Sequence, residues 1–416
     1  MELASSSHLS AAPRVPVEIC EEIIDILALL DPPSLKTCHL VSRIFTPRCR
    51  AHIFRSIHLD SDAEQCRDGE ELHTLLSISP DVAFHIRQLW LQIRRRDFQS
   101  YGLVESLKKL KNLELLELGD RTGRYGYHYG LSWGLSDMDF LRPSIQHLLE
   151  LPTLRELRVM WLIQDFPVSY IRNSNIKSLT ISHGGLRDDE PGDTRTLRSC
   201  PLESIAINYN SDDQTESVAS LFRVKGSNGR PVIDTSSLKV ISISTDPPEL
   251  LVTGRPLFHS EHLISVTFNA IEVISSVPRL HEYLAPSLQS LRYLKLDLQI
   301  CEPELGTSLI LSITTELAKL RGVNRIETVD IDIIIDMDVH FDIPRSWEDI
   351  DDVLAGPKSG WPSLKEVNMF MQVVMFNADS KDDFYVALQG LPKTHFKQLT
   401  ESSQISFKFV YDHYLI

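Results

Sequence analysis

Basic residues are too few in this chain to balance the acidic ones, leaving a formal net charge of −15 over 416 residues. Nonspecific affinity for nucleic acid comes mainly from Lys and Arg neutralising phosphates, so this balance argues against nucleic acid as a partner. Cysteine is sparse and scattered: Cys20, Cys38, Cys49, Cys66, Cys200 and Cys301 include no CxxC pair. Neither a zinc site nor a disulfide framework is indicated, and reduced thiols in an intracellular setting, cytoplasmic or nuclear, are expected. No stretch holds the roughly eighteen uninterrupted apolar residues that a membrane span needs. The start, MELASSSHLSAAP, lacks both the basic region and the apolar run of a secretory leader, so residues 1–12 read as a disordered head. Catalytic signatures are missing too. The chain has no GxSxG elbow, no Walker loop and no HExxH, and the neighbours Cys38 and His39 do not face each other on a helix. No enzymatic activity, cofactor or metal is therefore expected.

Apolar residues make up 42% of the chain, enough for a large core and more than one compact unit. Near the front, Ile19, Ile23, Ile26, Leu27 and Leu30 recur at helical spacing with Glu18, Glu21, Glu22 and Asp25 between them. This predicts an amphipathic helix with its acids toward the N-terminus, where the dipole favours them. Asp31-Pro32-Pro33 stops it, since proline offers no N–H to the ladder, and opens a second helix carrying Leu35, Cys38, Leu40 and Val41. Thr46-Pro47 repeats the device, with Thr46 as N-cap and Cys49, Ile53 and Phe54 as the apolar positions of a third helix. So short a module cannot hide all of its apolar surface alone. It either docks on a partner or caps the core of its own chain.

These residues carry a resemblance. Val15-Pro16-Val17-Glu18-Ile19, then Ile23 and Leu27, the turn Leu30-Asp31-Pro32, Leu40-Val41-Ser42-Arg43 with Phe45, and a closing Ile53-Phe54-Arg55 resemble the F-box. Its usual pattern begins Leu-Pro-x-Glu-hydrophobic and continues to Leu-Val-Ser-Lys/Arg-x-Trp/Phe. Val15 stands for the usual Leu, Phe45 for the commoner Trp, and Phe54 for the late Trp. The resemblance implies a Skp-type adaptor as partner and, through it, a cullin: a ubiquitin-ligase subunit that selects substrates and does no chemistry itself. Carried over position by position, the adaptor-binding residues are Val15, Pro16, Glu18, Ile19, Ile23, Leu40, Val41, Ser42, Arg43 and Phe45.

Beyond residue 80 a different pattern takes over, in which an apolar residue is followed three and five places later by two more. It occurs at Ile86-Leu89-Leu91, Leu113-Leu116-Leu118, Leu154-Leu157-Val159, Ile176-Leu179-Ile181 and Leu202-Ile205-Ile207. It continues at Leu238-Ile241-Ile243, Leu263-Val266-Phe268, Leu291-Leu294-Leu296, Ile326-Val329-Ile331 and Leu364-Val367-Met369. Each predicts a short strand with a preceding anchor. Successive units lie from 22 residues apart (Leu154 to Ile176) to 41 (Leu113 to Leu154), and five of the nine gaps fall within the roughly 20–29 of leucine-rich repeats. The units are similar to leucine-rich repeats of a degenerate kind, whose customary Asn is present only as Asn210. The expected fold is thus α/β: a three-helix F-box at 13–58, a connecting segment at 59–79, and a curved leucine-rich-repeat-like αβ solenoid with parallel strands at 80–416. A stack of unrelated αβ units is the alternative.

A solenoid lines up one outward residue per repeat on a continuous face. That row would be Glu117, Arg158, Thr180, Ala206, Ser242, Thr267, Lys295, Asp330 and Asn368. Its C-terminal end is the larger and more charged, so Tyr293, Lys295, Asp297, Asp330 and Asp332 are the substrate-binding candidates for an unidentified target protein. From Asp330 to Ile343 acidic and apolar residues alternate with period two, predicting one strand with an acidic row. Straight, it would span roughly 46 Å at about 3.3 Å per residue, so a bend or an early end is expected. The row suits solvent or a basic partner better than a cation, since no Gly-containing calcium loop surrounds it. Leu309, Ile313, Leu317 and Leu320 predict a backing helix. Tyr125, Tyr127, Tyr129 and Trp133 in a Gly-rich stretch suit either a substrate contact or packing on their own repeat, and Arg94-Arg95-Arg96 reads as an exposed strand end.

Overall fold

The computed structural model describes residues 15–59, 68–92, 100–119, 131–133, 136–160, 163–172, 174–182, 186–187, 199–208, 221–222, 233–244, 248–270, 279–300, 303–337, 346–356, 360–375 and 381–415. Arg94 to Arg96, Tyr125, Tyr127, Tyr129, Cys66 and Cys301 lie outside them. The protein is mixed α/β with a large parallel sheet. It divides into two compact units, residues 1–116 with 140–153 and residues 117–139 with 154–416.

The first unit opens with helices α1 (Val17–Leu30), α2 (Leu35–Val41) and α3 (Thr46–Ile53). The prolines set the boundaries: Pro16 precedes α1, and Pro32 and Pro33 lie in the single 3-10 turn that leads from Asp31 toward α2. One detail departs from expectation. Thr46 is already helical, and its hydroxyl donates to the His39 carbonyl at 3.2 Å instead of capping α3. Strand β1 (Ser56–Leu59) runs parallel to β2 (Gln88–Leu91), with helix α4 (Asp68–Ile78) between them in sequence. Helix α5 (Tyr101–Lys109) starts where the Ser100 hydroxyl accepts the Leu103 N–H at 3.2 Å. Strand β3 (Leu115–Leu118) follows, its first two residues in this unit and its last two in the second, with the Leu115 N–H on the Arg87 carbonyl at 3.0 Å. Helix α6 (Arg142–Leu149) completes the unit, and its Ser144 hydroxyl donates to the Val104 carbonyl of α5.

In the second unit β4 (Glu156–Val159), β5 (Ser178–Ser182), β6 (Ser204–Asn208), β7 (Val240–Ser244) and β8 (Ser265–Ala270) pair in chain order, each parallel to the next. The series continues through β9 (Tyr293–Ile300), β10 (Thr328–Met337), β11 (Glu366–Met375) and β12 (Ser406–Leu415). Parallel neighbours require crossovers, which is the role of helices such as α7 (Pro303–Lys319), α8 (Ser346–Leu354) and α9 (Lys381–Thr394), followed by the short α10 (Lys397–Glu401). Alternation along the strands sorts the faces. Leu294, Leu296, Leu298 and Ile300 are buried while Tyr293, Lys295, Asp297 and Gln299 are half-exposed. The expected backing helix is α7, whose Leu309, Ile310, Ile313 and Leu317 are all buried, as is Leu320 just past its end.

All ten sequence-predicted strands are present, and their anchor residues, from Ile86 to Leu364, are at most 6% exposed. Two further strands of more than two residues, β1 and β12, accompany them, and six two-residue strands form three separate pairs among the described residues. The strand expected from Asp330 to Ile343 is assigned over Thr328–Met337, and residues 338–345 lie outside those described. Trp133 settles its own alternatives: it is 3% exposed and packs edge-on against Phe166 at 5.0 Å and Tyr170 at 5.8 Å. Among the described residues no helix is long and apolar enough to cross a membrane.

Candidate functional site

The three front helices are held by a small core. Ile24, Leu35 and Cys49 are buried together, with Leu27, Ala28, Cys38, Phe45 and Ile53 packed around them. An ionic clasp supports it. Asp25 on α1 accepts from Arg48 Nε at 2.6 Å and Nη2 at 2.5 Å, and lies 2.7 Å from His52 Nε2, both partners being on α3. The two-pronged guanidinium bond is the strongest cause of an Asp25 pKa far below the ordinary carboxylate range, with His52 adding to it. Arg50 ties the same helix to Asp81 at 2.8 Å. Burial, helped by the adjacent Cys38, pushes the Cys49 thiol up to about 11, and Cys49 packs in the module's core.

Most of the module's other apolar side chains face outward. Ile23 is 57% exposed, Leu40 76% and Val41 72%; Val15, Val17, Ile19, Ile26, Leu29, Leu30 and Ile44 are exposed too. Of the adaptor-binding positions carried over from the resemblance, Val15, Pro16, Glu18, Ile19, Ile23, Leu40, Val41 and Arg43 are exposed and Ser42 is half-exposed. Phe45 differs, because it is half-buried against the module's own core. Isolated exposed apolar residues are ordinary, whereas a group of this size on one short motif is a candidate docking surface. Sequence periodicity missed Ile24, the one fully buried residue of α1, because its neighbours Ile23 and Leu27 both match helical spacing.

The second candidate surface lies on the outward face of the second unit's strands. Registers align Arg158, Thr180, Ala206, Ser242, Thr267, Lys295, Asp330 and Asn368 in one row, and Lys408 continues it. Glu117 joins its N-terminal end through Arg158, which also pairs with Glu156. At the C-terminal end the five substrate-binding candidates come together as a bonded cluster. Lys295 Nζ lies 2.9 Å from Asp297 and 2.8 Å from Asp332. Tyr293 donates its hydroxyl to Asp330, which also accepts from Asn368 Nδ2 at 2.9 Å.

Burial alone would lower the Lys295 pKa, but its bonds to Asp332 and Asp297 outweigh that and raise it. Burial, reinforced by the neighbouring Asp330, raises the Tyr293 phenol, and burial raises Asp297. One ammonium among three carboxylates leaves the cluster an excess of negative charge. Beside it lies apolar surface that the sequence pattern did not single out: Phe370 is opposite Asp332 on one side and Val410 on the other, and Ile334 is on the next outward position of β10. The signal was available as the period-two partner set of β11, Asn368, Phe370, Gln372 and Val374. Among the described residues no three His, Cys, Asp or Glu side chains converge in a metal-binding geometry.

No family model matches the chain, and no curated protein matches it.

Proposed function

We propose that this protein is the substrate-recognition subunit of a Skp-cullin-F-box ubiquitin ligase. The helices α1 to α3 act as the F-box and dock on a Skp-type adaptor, and the αβ repeats, read as a leucine-rich-repeat-like solenoid, hold a target protein. The chain itself is non-catalytic and works inside the cell. The observation that carries the reading is the sorting of one motif onto two sides of a small module. Ile24, Leu35 and Cys49 close its core, while the motif's Val15, Pro16, Ile19, Ile23, Leu40 and Val41 stand outside it. Phe45 then serves as a structural residue that sets the module's shape, not as a contact.

The in-register row of nine strands supports the solenoid reading, because parallel strands joined by helical crossovers present one residue per unit along a face. The target is expected to meet the C-terminal end of that row, where the acidic Asp330 and Asp332 adjoin Phe370 and Val410. A segment combining basic and apolar side chains fits this surface best.

The test is Pro16→Ala combined with Ile19→Asp. Adaptor binding should fall while the melting temperature barely moves, because both positions are exposed. A large stability loss would place Ile19 in the chain's own core and remove the basis for the reading. Unchanged adaptor binding would leave a repeat scaffold without a link to ubiquitin.

A further inference from the structure

Between α7 (Pro303–Lys319) and α8 (Ser346–Leu354), within the second unit, lies an open groove of about 470 Å³. On α7 its wall is the seam Leu311, Thr314, Thr315 and Ala318, spaced i, i+3, i+4 and i+7. This is one helix face about two turns long, or roughly 10 Å at a rise of about 1.5 Å per residue. Leu311 is 54% exposed, Thr315 is exposed and Ala318 half-exposed, while Thr314 and Val353 of α8 are buried beneath them. The outer face of a helix ordinarily carries charge, so this strip is unlike a solvated one.

The polar groups around the groove are already used within the chain, with one exception. Thr314 and Thr315 donate their hydroxyls to the carbonyls of Ile310 and Leu311 at 2.7 and 2.8 Å. Lys319 is bonded to Glu316, and Asp352 accepts from Gln398. Asp349 differs: it lines the groove, is exposed, and has no hydrogen bond or ion pair among the described residues. An extended segment laid on the seam would press its backbone N–H and C=O groups against a surface that offers them no partner. A helix satisfies its backbone internally and brings only side chains to the contact.

We propose that this groove receives one amphipathic helix of a partner protein. Its apolar side chains, one turn apart, lie along the seam from Leu311 to Ala318, where the small Thr315 and Ala318 allow close approach and ridges can enter the groove. A Lys or Arg on its flank meets Asp349. Charge complementarity selects that sign: Glu348, also exposed, adds to Asp349 on the α8 rim, whereas the cation on the α7 side, Lys319, is already held by Glu316. The proposal is independent of the front helices and of the charged strand face around Asp330.

The test is fluorescence anisotropy of a labelled helical peptide, with leucines one turn apart on one face and lysines along its flank, titrated with the full chain. The wild-type chain should bind it. Asp349→Lys should weaken binding about tenfold and should now favour the same peptide with glutamates in place of its lysines. Leu311→Asp, which puts a charge on the seam, should weaken both peptides. Both positions are exposed, so melting curves should be unchanged; should either variant lose its fold, Asp349→Asn and Leu311→Ser carry the same comparison with a smaller weakening. A folded chain that does not bind overturns the proposal. So does binding that the variants leave unchanged, as attachment to the strand face around Asp330 would be, or that a peptide of the same residues in scrambled order reproduces.

Discussion

Ile23 and Ile24 are adjacent on α1 and differ in fate: the first is 57% exposed and the second 2%. Truncating each to Ala separates docking from folding within a single helix turn. Ile24 packs with Leu35 and Cys49 in a core with few members, so Ile24→Ala removes transfer energy and leaves a cavity, costing about 2–5 kcal/mol. Fully burying an Ile contributes roughly 1.5–3 kcal/mol, and Ile23 is less than half buried, so Ile23→Ala should cost about 1 kcal/mol or less. Adaptor affinity should reverse the order. A contact residue at a docked helix face contributes about 1–2 kcal/mol, or roughly 5–30-fold in Kd. Denaturant unfolding followed by helical signal gives the first pair of numbers, and titration calorimetry with a purified Skp-type adaptor gives the second. The reasoning is refuted if Ile23→Ala destabilises the chain as much as Ile24→Ala, or if it leaves adaptor affinity untouched.

Other consequences concern the second unit. Glu316 has a 6% exposed side chain that accepts from Lys319 at 2.6 Å and lies 2.7 Å from His281 Nδ1. Burial would raise its pKa, but the bonds from Lys319 and His281 outweigh that and hold it below the ordinary carboxylate value. A depressed carboxylate contributes stability that is present above its unfolded pKa of about 4.3 and is lost as pH falls through the folded value. Glu316→Gln should therefore flatten the acid limb of the stability curve, read from unfolding midpoints between about pH 5 and pH 3. The fully buried Phe396 packs against Trp347, Phe407 and Phe409, so Phe396→Ala should cost about 3–5 kcal/mol in denaturant unfolding. Lys177 and Lys239 hold the half-exposed Glu203 carboxyl at about 2. An NMR titration should find it there at low salt and nearer the ordinary range at about 1 M, where screening acts within about 3 Å.

Most of the strand framework was legible because its signal is local. An anchor such as Leu291, followed by Leu294 and Leu296, needs only three apolar side chains to sit on one inner face. The two longer strands outside the predicted set, β1 and β12, escaped it for separate reasons. Phe54, Ile57 and Leu59 do match the spacing, but Phe54 also closes α3, and its helical spacing competes with the strand pattern. At β12 the anchor position is Gln404, a polar residue, so the three-residue pattern breaks although Phe407, Phe409 and Tyr411 alternate. The front motif gave its helix boundaries through Pro16, Pro32, Pro33 and Pro47. Which side each residue takes depends on how three helices cross, and helical spacing alone does not distinguish Ile23 from Ile24. The acidic cluster was legible as composition only. That Lys295 clamps Asp297 and Asp332, and that Phe370 lies beside them, are consequences of strand register, which no single segment encodes.

The most direct measurement is the affinity of the purified intact chain for a purified Skp-type adaptor, compared with that of a chain lacking residues 13–58. A ligase subunit of the proposed kind binds tightly when intact and loses binding with the deletion, while its repeat unit keeps its melting transition. Failure of the folded intact chain to bind, or equal binding by both, contradicts the proposal.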